Sequence, residues 1–438
     1  METTVGEITK AIVGGGTPSK KNGAYYSGSI PFMTVKDMKI NRPNKTVDHI
    51  SEEAVRASST NIIPADTLII STRMGLGKIV RANFATAINQ DLKALFIHEN
   101  ISKMFFEYWY RSQSKILENL GKGTTVKGIR LEVLESIRFP LPPLPEQHRI
   151  ADKLDSLMAR IESCKARLER VPELMKRFRQ TVLKMAVTGR LTEDWRAGKG
   201  LPERIEKTIG SVIESISYGT SKKSGYNIQN GIPVLRIPNV STGLLNITDL
   251  KYSHLDEKEY QKLSLVVNDL LIIRSNGSVS LLGKATLIGK EAVGFAYAGY
   301  LIRIRVKNGV IEPHFLNLIF KTHTIREQIE ISARSTTGVH NINSEEIKEL
   351  RFPLPPLSEQ KEIVRRVDSL FSLADKLERK YAAAFQNVND VTTSILSKAF
   401  RGTLLPQKPA DEPATILLER IKKEKSAKQQ LRKKRGVK

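Results

Sequence analysis

The sequence predicts two α/β (mixed α+β) domains in tandem, separated by two long helices that pair antiparallel as a coiled coil, giving the chain a pseudo-two-fold internal repeat. Three observations predict it: a segment that recurs far along the chain, a heptad pattern that follows each copy, and irregular alternation of β-rich and helical runs elsewhere.

RFPLPPLPEQHRIADKLDSL (138–157) returns as RFPLPPLSEQKEIVRRVDSL (351–370). Without a gap, the same register pairs TTVKGI (124–129) with TGVHNI (337–342), and Leu183, Ala186, Gly189 and Leu191 with Leu396, Ala399, Gly402 and Leu404. Upstream the likeness continues in weaker form: IPFMTVKDMKIN (30–41) resembles IPVLRIPNVSTG (232–243), and PADTLIISTRMGLGK (64–78) resembles VNDLLIIRSNGSVSLLGK (267–284). The unit is therefore a divergent globular part followed by a more uniform segment. The boundaries read as a globular domain at 1–138, a Pro-rich lead-in with the first long helix at 139–191, and a linker at 192–204. A second domain at 205–351 precedes a second lead-in and helix at 352–404, and an amphipathic segment with a basic tail closes the chain at 405–438.

The globular parts mix strand-like runs (TLIIST, LLIIRS, LIRIRV) with helical stretches such as ISKMFFEYWYRSQSKILENL. FPLPPL is not helical, because each proline lacks a donor and drives the preceding residue to extended geometry. After it, apolar residues fall at 4-3 spacing: Ile150, Leu154, Leu157, Ile161, Cys164, Leu168, Val171, Met175, Phe178, Val182 and Met185, then Ile363, Val367, Leu370, Ala374, Leu377, Tyr381, Ala384, Val388, Val391 and Ile395. This is a coiled-coil seam, and it predicts Cys164 buried on it as a small apolar group. Pro172 should bend or break the first helix, and Gly189 and Gly402 fit helix stops. Tyr25 and Tyr26 read as core. ILLER near the end is amphipathic enough to dock on a partner helix.

Composition narrows the function. Seventy Lys+Arg against 46 Asp+Glu give a net charge of +24 over 438 residues, which points to a polyanion partner. No apolar run reaches the ~18 residues of a membrane span, and METTVGEITKAIV lacks a secretory pattern, so the expectation is a cytoplasmic protein. One cysteine and seven scattered histidines offer neither a disulfide nor a zinc ligand set. GSVSLLGKAT fails the phosphate-loop spacing, GGG at 14–16 opens no helix, and no Asp/Asn-Pro-Pro-aromatic methylase tetrad occurs. Asp66 with Asp91-Leu92-Lys93 faintly resembles a nuclease carboxylate pair plus lysine, but the second copy keeps only Asp269. By elimination the chain is a binder.

Polar loops flank the strands, and their residue types contact phosphates and base edges. In the first domain the candidate DNA-binding residues are Thr17, Ser19, Lys20, Lys36, Arg73, Lys78 and Lys127. In the second they are Thr220, Ser221, Lys222, Arg236, Asn239, Arg274, Asn276, Lys284 and His340. Each taken singly also reads as a solvated polar group. Arg73 and Asn276 follow repeat-matched strands, so one loop position would carry different readers in the two copies. Two related basic domains on a rigid spacer predict a split, non-palindromic target.

The duplicated FPLPPLxEQ with its long helix, LKMAVTGRLTEDWR and ILSKAFRGTLL closing the copies, GGGTPSKKNGAYYSGSIPFMTVKDM near the start and ILLERIKKEK near the end together resemble the DNA-specificity subunit of type I restriction-modification enzymes. The resemblance spans the whole chain. It implies two target-recognition domains, each reading half of a bipartite DNA site, and no catalysis or cofactor of the chain's own. It further implies that the helices, with Leu154, Leu157, Ile161, Leu168, Val367, Leu370, Leu377 and Tyr381 on their seams, dock two adenine-N6 methyltransferase subunits using S-adenosylmethionine. Two restriction/translocase subunits using ATP and Mg join them. A stand-alone DNA nuclease and an RNA-binding scaffold are the competing classes; the latter should show aromatic stacking platforms, and aromatic residues are only 6% of the chain.

Overall fold

The computed structural model describes residues 1–121, 128–336 and 339–434. It divides into two compact units, Met1–Leu168 with Ala384–Lys438, and Glu169–Ala383.

In the first unit, LIIS (Leu68–Ser71) is buried along its whole length. The pleat sends Leu68 and Ile70 into a core containing Phe105 and Trp109, and Ile69 into a second core with Met33 and Val80. A strand buried on both faces cannot show apolar-polar alternation, which is why the run reads as continuously apolar. It belongs to an antiparallel four-stranded sheet in the order Thr9–Gly14, Leu92–Ile97, Leu68–Ser71, Ile79–Arg81. Helix Lys103–Ser112 covers one face of it. The other face meets a second sheet in the order Asp48–Ile50, Ile30–Met33, Thr86–Ile88, Asn61–Ile63, whose middle pair is parallel. Tyr25 and Tyr26 are partly buried and pack against the cluster of Phe32 and Ile50.

The second unit repeats this plan. Its antiparallel sheet runs Ile213–Tyr218, Leu301–Val306, Leu270–Ile273, Ala285–Leu287. Leu270 and Ile272 face one core, Leu271 and Ile273 the other. A smaller sheet holds Lys251–Ser253, Ile232–Leu235 and Ala296–Tyr297, again with one parallel pair.

Each Pro-rich lead-in is tied down identically. Glu2–Thr4 pairs with Arg138–Pro140, and Ile205–Thr208 with Arg351–Leu354. Gln147 accepts the Ser102 N–H at 2.9 Å and donates to the Pro142 carbonyl at 2.9 Å. Gln360 does the same for Glu312 (2.8 Å) and Pro355 (2.9 Å).

The first long helix is two helices, Leu144–Leu168 and Val171–Thr188, with Pro172 in the opening turn of the latter, where its missing donor costs nothing. The second, Leu357–Phe400, is unbroken over 44 residues, roughly 66 Å at 1.5 Å per residue. Left-handed Gly189 and Gly402 follow the helix ends. Within the first unit Ile150 and Leu154 share a core with Ile395 and Ala399; within the second, Val182 and Ala186 share one with Ile363 and Val367. The start of each helix thus lies against the end of the other, the antiparallel arrangement.

The seam is not buried throughout. Leu154, Ile161 and Val367 are buried, Leu157, Leu168, Leu370 and Tyr381 partly so, but Leu377 and Cys164 are exposed. The expectation of a buried Cys164 is corrected, for a straight helix drifts ~20° per heptad from a strict 3.5-residue repeat and carries such positions off the contact face. Around Leu377 the contact is polar: Arg179 reaches Asp375 at 2.6 Å and Glu378 at 3.2 Å and lies over the Phe371 ring. ILLER opens the helix Ala414–Lys434, but Leu417, Leu418 and Ile421 enter the core of the first unit itself, so this segment docks on its own domain. Among the described residues no helix is long and apolar enough to cross a membrane.

Candidate nucleic-acid interface

The antiparallel sheet positions the polar loops. In the first unit Gly14 pairs with Lys93, Leu92 with Ser71, and Ile70 with Ile79, so the loops that follow or precede these residues all leave one sheet end. Thr17, Ser19 and Lys20 lie on the first loop, Gln90 and Asp91 on the second, Arg73 and Lys78 on the third. They interlock: Thr17 donates to Gln90, Thr72 N–H bonds the Asp91 carbonyl at 2.9 Å, and Arg73 stands 3.8 Å from the Asp91 carboxylate. Lys36 sits on the turn after Met33, whose carbonyl accepts the Asn89 N–H at 3.2 Å, which brings it beside the same end. Ser19, Lys20, Lys36, Arg73 and Lys78 are exposed there. Lys127 lies outside the described residues.

The second unit builds the same end from other side chains. Tyr218 pairs with Ile302, Leu301 with Ile273, and Ile272 with Ala285. Ser221, Arg274, Asn276 and Lys284 cluster there, joined by His340, which pairs with Asn276 across a short ladder. The Ile342 N–H bonds the Arg274 carbonyl as the Ile129 N–H bonds that of Thr72, both at 2.9 Å. Arg274 is therefore the counterpart of Thr72, and Ser275 that of Arg73. The expected match of Arg73 with Asn276 is off by one residue, because the loop register is set by this backbone bond. Gly15 and Gly219 are likewise equivalent: an added Cβ would stand 2.0 Å from the Ile88 carbonyl oxygen in one and 2.3 Å from that of Tyr297 in the other.

Four candidates are engaged by the protein itself. Thr220 is buried and donates to Glu259 at 2.7 Å. Lys222 closes on Glu259 at 2.6 Å, a contact that raises the lysine's pKa and lowers the carboxylate's. Asn239 is buried, accepting the Arg236 N–H at 2.8 Å and donating to the Asn246 and Asp249 carbonyls. Asp37 holds the matching place in the first unit, bonding Thr34 N–H at 2.8 Å. Arg236 itself is paired to Asp249 at 3.0 Å. The residue types misled here, because Thr and Asn cap turns as readily as they read bases. The match of IPFMTVKD to IPVLRIPN carried the missing signal. Sequence reasoning also missed Tyr218, Tyr300 and Gln90. Tyr300 precedes its strand as Asp91 does and is 61% exposed.

The nuclease-like set does not assemble. Asp66 precedes Leu68 at the opposite end of the sheet from Asp91, and it is engaged by Arg81 and by Lys103 at 2.9 Å. What the sheet ends present is an array of donors on a duplicated scaffold, suited to holding a polyanion and reading a sequence of groups along it.

That is the architecture of a duplicated recognition protein, and comparison with known proteins gives the family. Residues 1–173 and 203–384 match the type I restriction modification DNA specificity domain. The chain is 36% identical over 71% of its length to the EcoKI specificity subunit of Escherichia coli K12, covering 69% of that protein. It is 31% identical over 97% of its length to the EcoDI specificity subunit of Escherichia coli, covering 94%. Among solved structures, the HsdS subunit of Thermoanaerobacter tengcongensis aligns over 92% of this chain and 97% of its own with a TM-score of 0.58 at 19% identity. A chain from a study of type I R-M complex assembly reaches 0.69 over 92% and 98%. The chain belongs to the type I restriction-modification specificity subunits, whose task is DNA target recognition and not catalysis.

Proposed function

We propose that the two domains read the two halves of one interrupted, asymmetric DNA sequence, residues 1–138 one half and 205–351 the other. The long helices carry two adenine-N6 methyltransferase subunits, which two restriction/translocase subunits join. Those partners use S-adenosylmethionine, ATP and Mg, and the complex works in the cytoplasm of a bacterium or archaeon. One observation carries the reading: equivalent loop positions hold different side chains in the two copies, Arg73 against Ser275 and Asp91 against Tyr300. A single scaffold with two sets of readers suits two half-sites of unlike sequence. The test is to co-express the chain with its methyltransferase subunit in a host lacking adenine methylation and to map N6-methyladenine by single-molecule sequencing. A split motif methylated on both strands supports the reading; a stable complex that leaves DNA unmethylated, or a continuous motif, overturns it.

A further inference from the structure

We infer that Arg274 reads a guanine in the half-site facing residues 205–351, as a fork fixed in place before DNA arrives. This rests on the bipartite reading above and adds the base and the residue. Both backbone groups of Arg274 are pinned, its N–H on the Tyr300 carbonyl at 3.0 Å and its carbonyl on the Ile342 N–H at 2.9 Å. The guanidinium lies over the Tyr218 ring at 4.8 Å, and Nη1 donates to the Gly299 carbonyl at 3.3 Å. Nε is buried without a partner and Nη1 is held by the Gly299 carbonyl, whereas Nη2 is not among the buried unpartnered atoms, so the Nη2 side of the fork is the one open to a ligand. Tyr218 is itself held: its hydroxyl accepts the Ser344 N–H at 2.9 Å and donates to the Ser344 hydroxyl at 3.1 Å.

Arg236 and Arg305 pair with carboxylates, Arg305 with Asp269 at 2.8 Å. Among the described residues no carboxylate pairs with Arg274, so its charge has no acidic partner. A phosphate is served by any mobile cation. A planar fork with its roll fixed by an aromatic ring is the geometry that meets O6 and N7 of guanine together. Thr72, the counterpart in the first domain, is buried and donates to the Asp91 carbonyl at 3.2 Å, so it makes no such demand.

The test uses the chain assembled with its methyltransferase subunits, comparing methylomes of wild type, R274Q, R274K and Y218L. The wild type should require guanine at one position of that half-site. R274Q and R274K should lower the preference there by about 10- to 100-fold, leaving the other positions and the other half-site as they were. R274K keeps the charge without the fork, and Y218L keeps the fork without its support and should relax the same position less. A uniform fall in methylation at all sequences, restored by R274K, would make Arg274 a phosphate contact and overturn the inference, as would an unchanged motif in R274Q. A wild type lacking any split motif would instead show that the bipartite reading had failed, before any variant is made.

Discussion

Gln360 accepts the backbone N–H of Glu312 at 2.8 Å, joining the first turn of a long helix to the cap of a domain helix with a fully buried side chain. Its Nε2 donates to the Pro355 and Val310 carbonyls, so one amide satisfies three backbone groups. Replacing it with leucine keeps the volume and orphans them. Each unsatisfied buried group costs about 1–3 kcal/mol, and Q360L should lower the urea midpoint of the assembled chain accordingly. Q147L should do the same in the first unit, where Gln147 holds Ser102.

The neighbouring glutamates respond to pH in opposite senses. Burial is the largest influence on Glu359 and pushes its pKa up, but Arg204, Thr192 and Arg196 outweigh it and hold the carboxyl below its usual range. Its contribution is therefore present above the ordinary carboxylate range, near ~4.3, and lost as the pH falls through the depressed value. Glu146, its repeat counterpart, is raised mainly by burial, so the ionised form costs stability at neutral pH and the cost is relieved on acidification. Hydrogen exchange at pH 7 and about pH 5 should show the helix start at 144–154 gaining protection while that at 357–367 holds. E359Q, which strands two guanidiniums, should cost about 3–5 kcal/mol.

Much of this organisation was legible in the residues, and the failures have physical causes. The repeated Pro-rich segment and heptads define the helices because apolar period and proline geometry act locally. Cys164 and Leu377 depart from the seam because angular drift accumulates beyond two heptads. Sheet order was not readable, since strands such as Leu68–Ser71 bury both faces and carry no sidedness. The site was half legible: Arg274 and Lys78 lie where donors were expected, whereas Thr220 and Asn239 use the same chemistry to hold turns.

Gly15 and Gly219 allow the loop after the first sheet strand to press on a neighbouring carbonyl. A methyl group at Gly15 would stand 2.0 Å from the Ile88 oxygen and 2.4 Å from that of Asn89, so the loop must move. G15A should cost roughly 1–3 kcal/mol and blur only the half-site read by residues 1–138. G219A should blur only the other, and methylome mapping of the two variants separates the effects.

Exchanging residues 1–138 for those of a relative with another target should replace one half of the methylated motif and leave the second intact. The Glu2–Thr4 pairing with Arg138–Pro140 and the Gln147 clamp on Ser102 and Pro142 must travel with the domain, so the exchanged segment is expected to fold when it runs on past Gln147. Change in both halves would show that the domains do not read independently.

Lys78 and Lys222 contrast an exposed cation with one already paired inside the protein. Lys78 is exposed at the loop-bearing sheet end of the first unit, next to the strand residue Ile79. Lys222 has a place on the matching loop of the second unit but lies 2.6 Å from Glu259 and 3.4 Å from Asp256, its charge already matched. A lysine that neutralises a phosphate releases condensed counterions, and each such contact steepens the slope of log K against log salt by about 0.9. K78Q in the methyltransferase complex should therefore flatten that slope by about one and weaken binding evenly across sequences, its motif unchanged. K222Q should leave the slope alone, because no counterion is displaced from a pair the protein makes internally. Binding titrations at several salt concentrations distinguish the two, and a flattened slope in K222Q would mean that Glu259 gives up its partner when DNA binds.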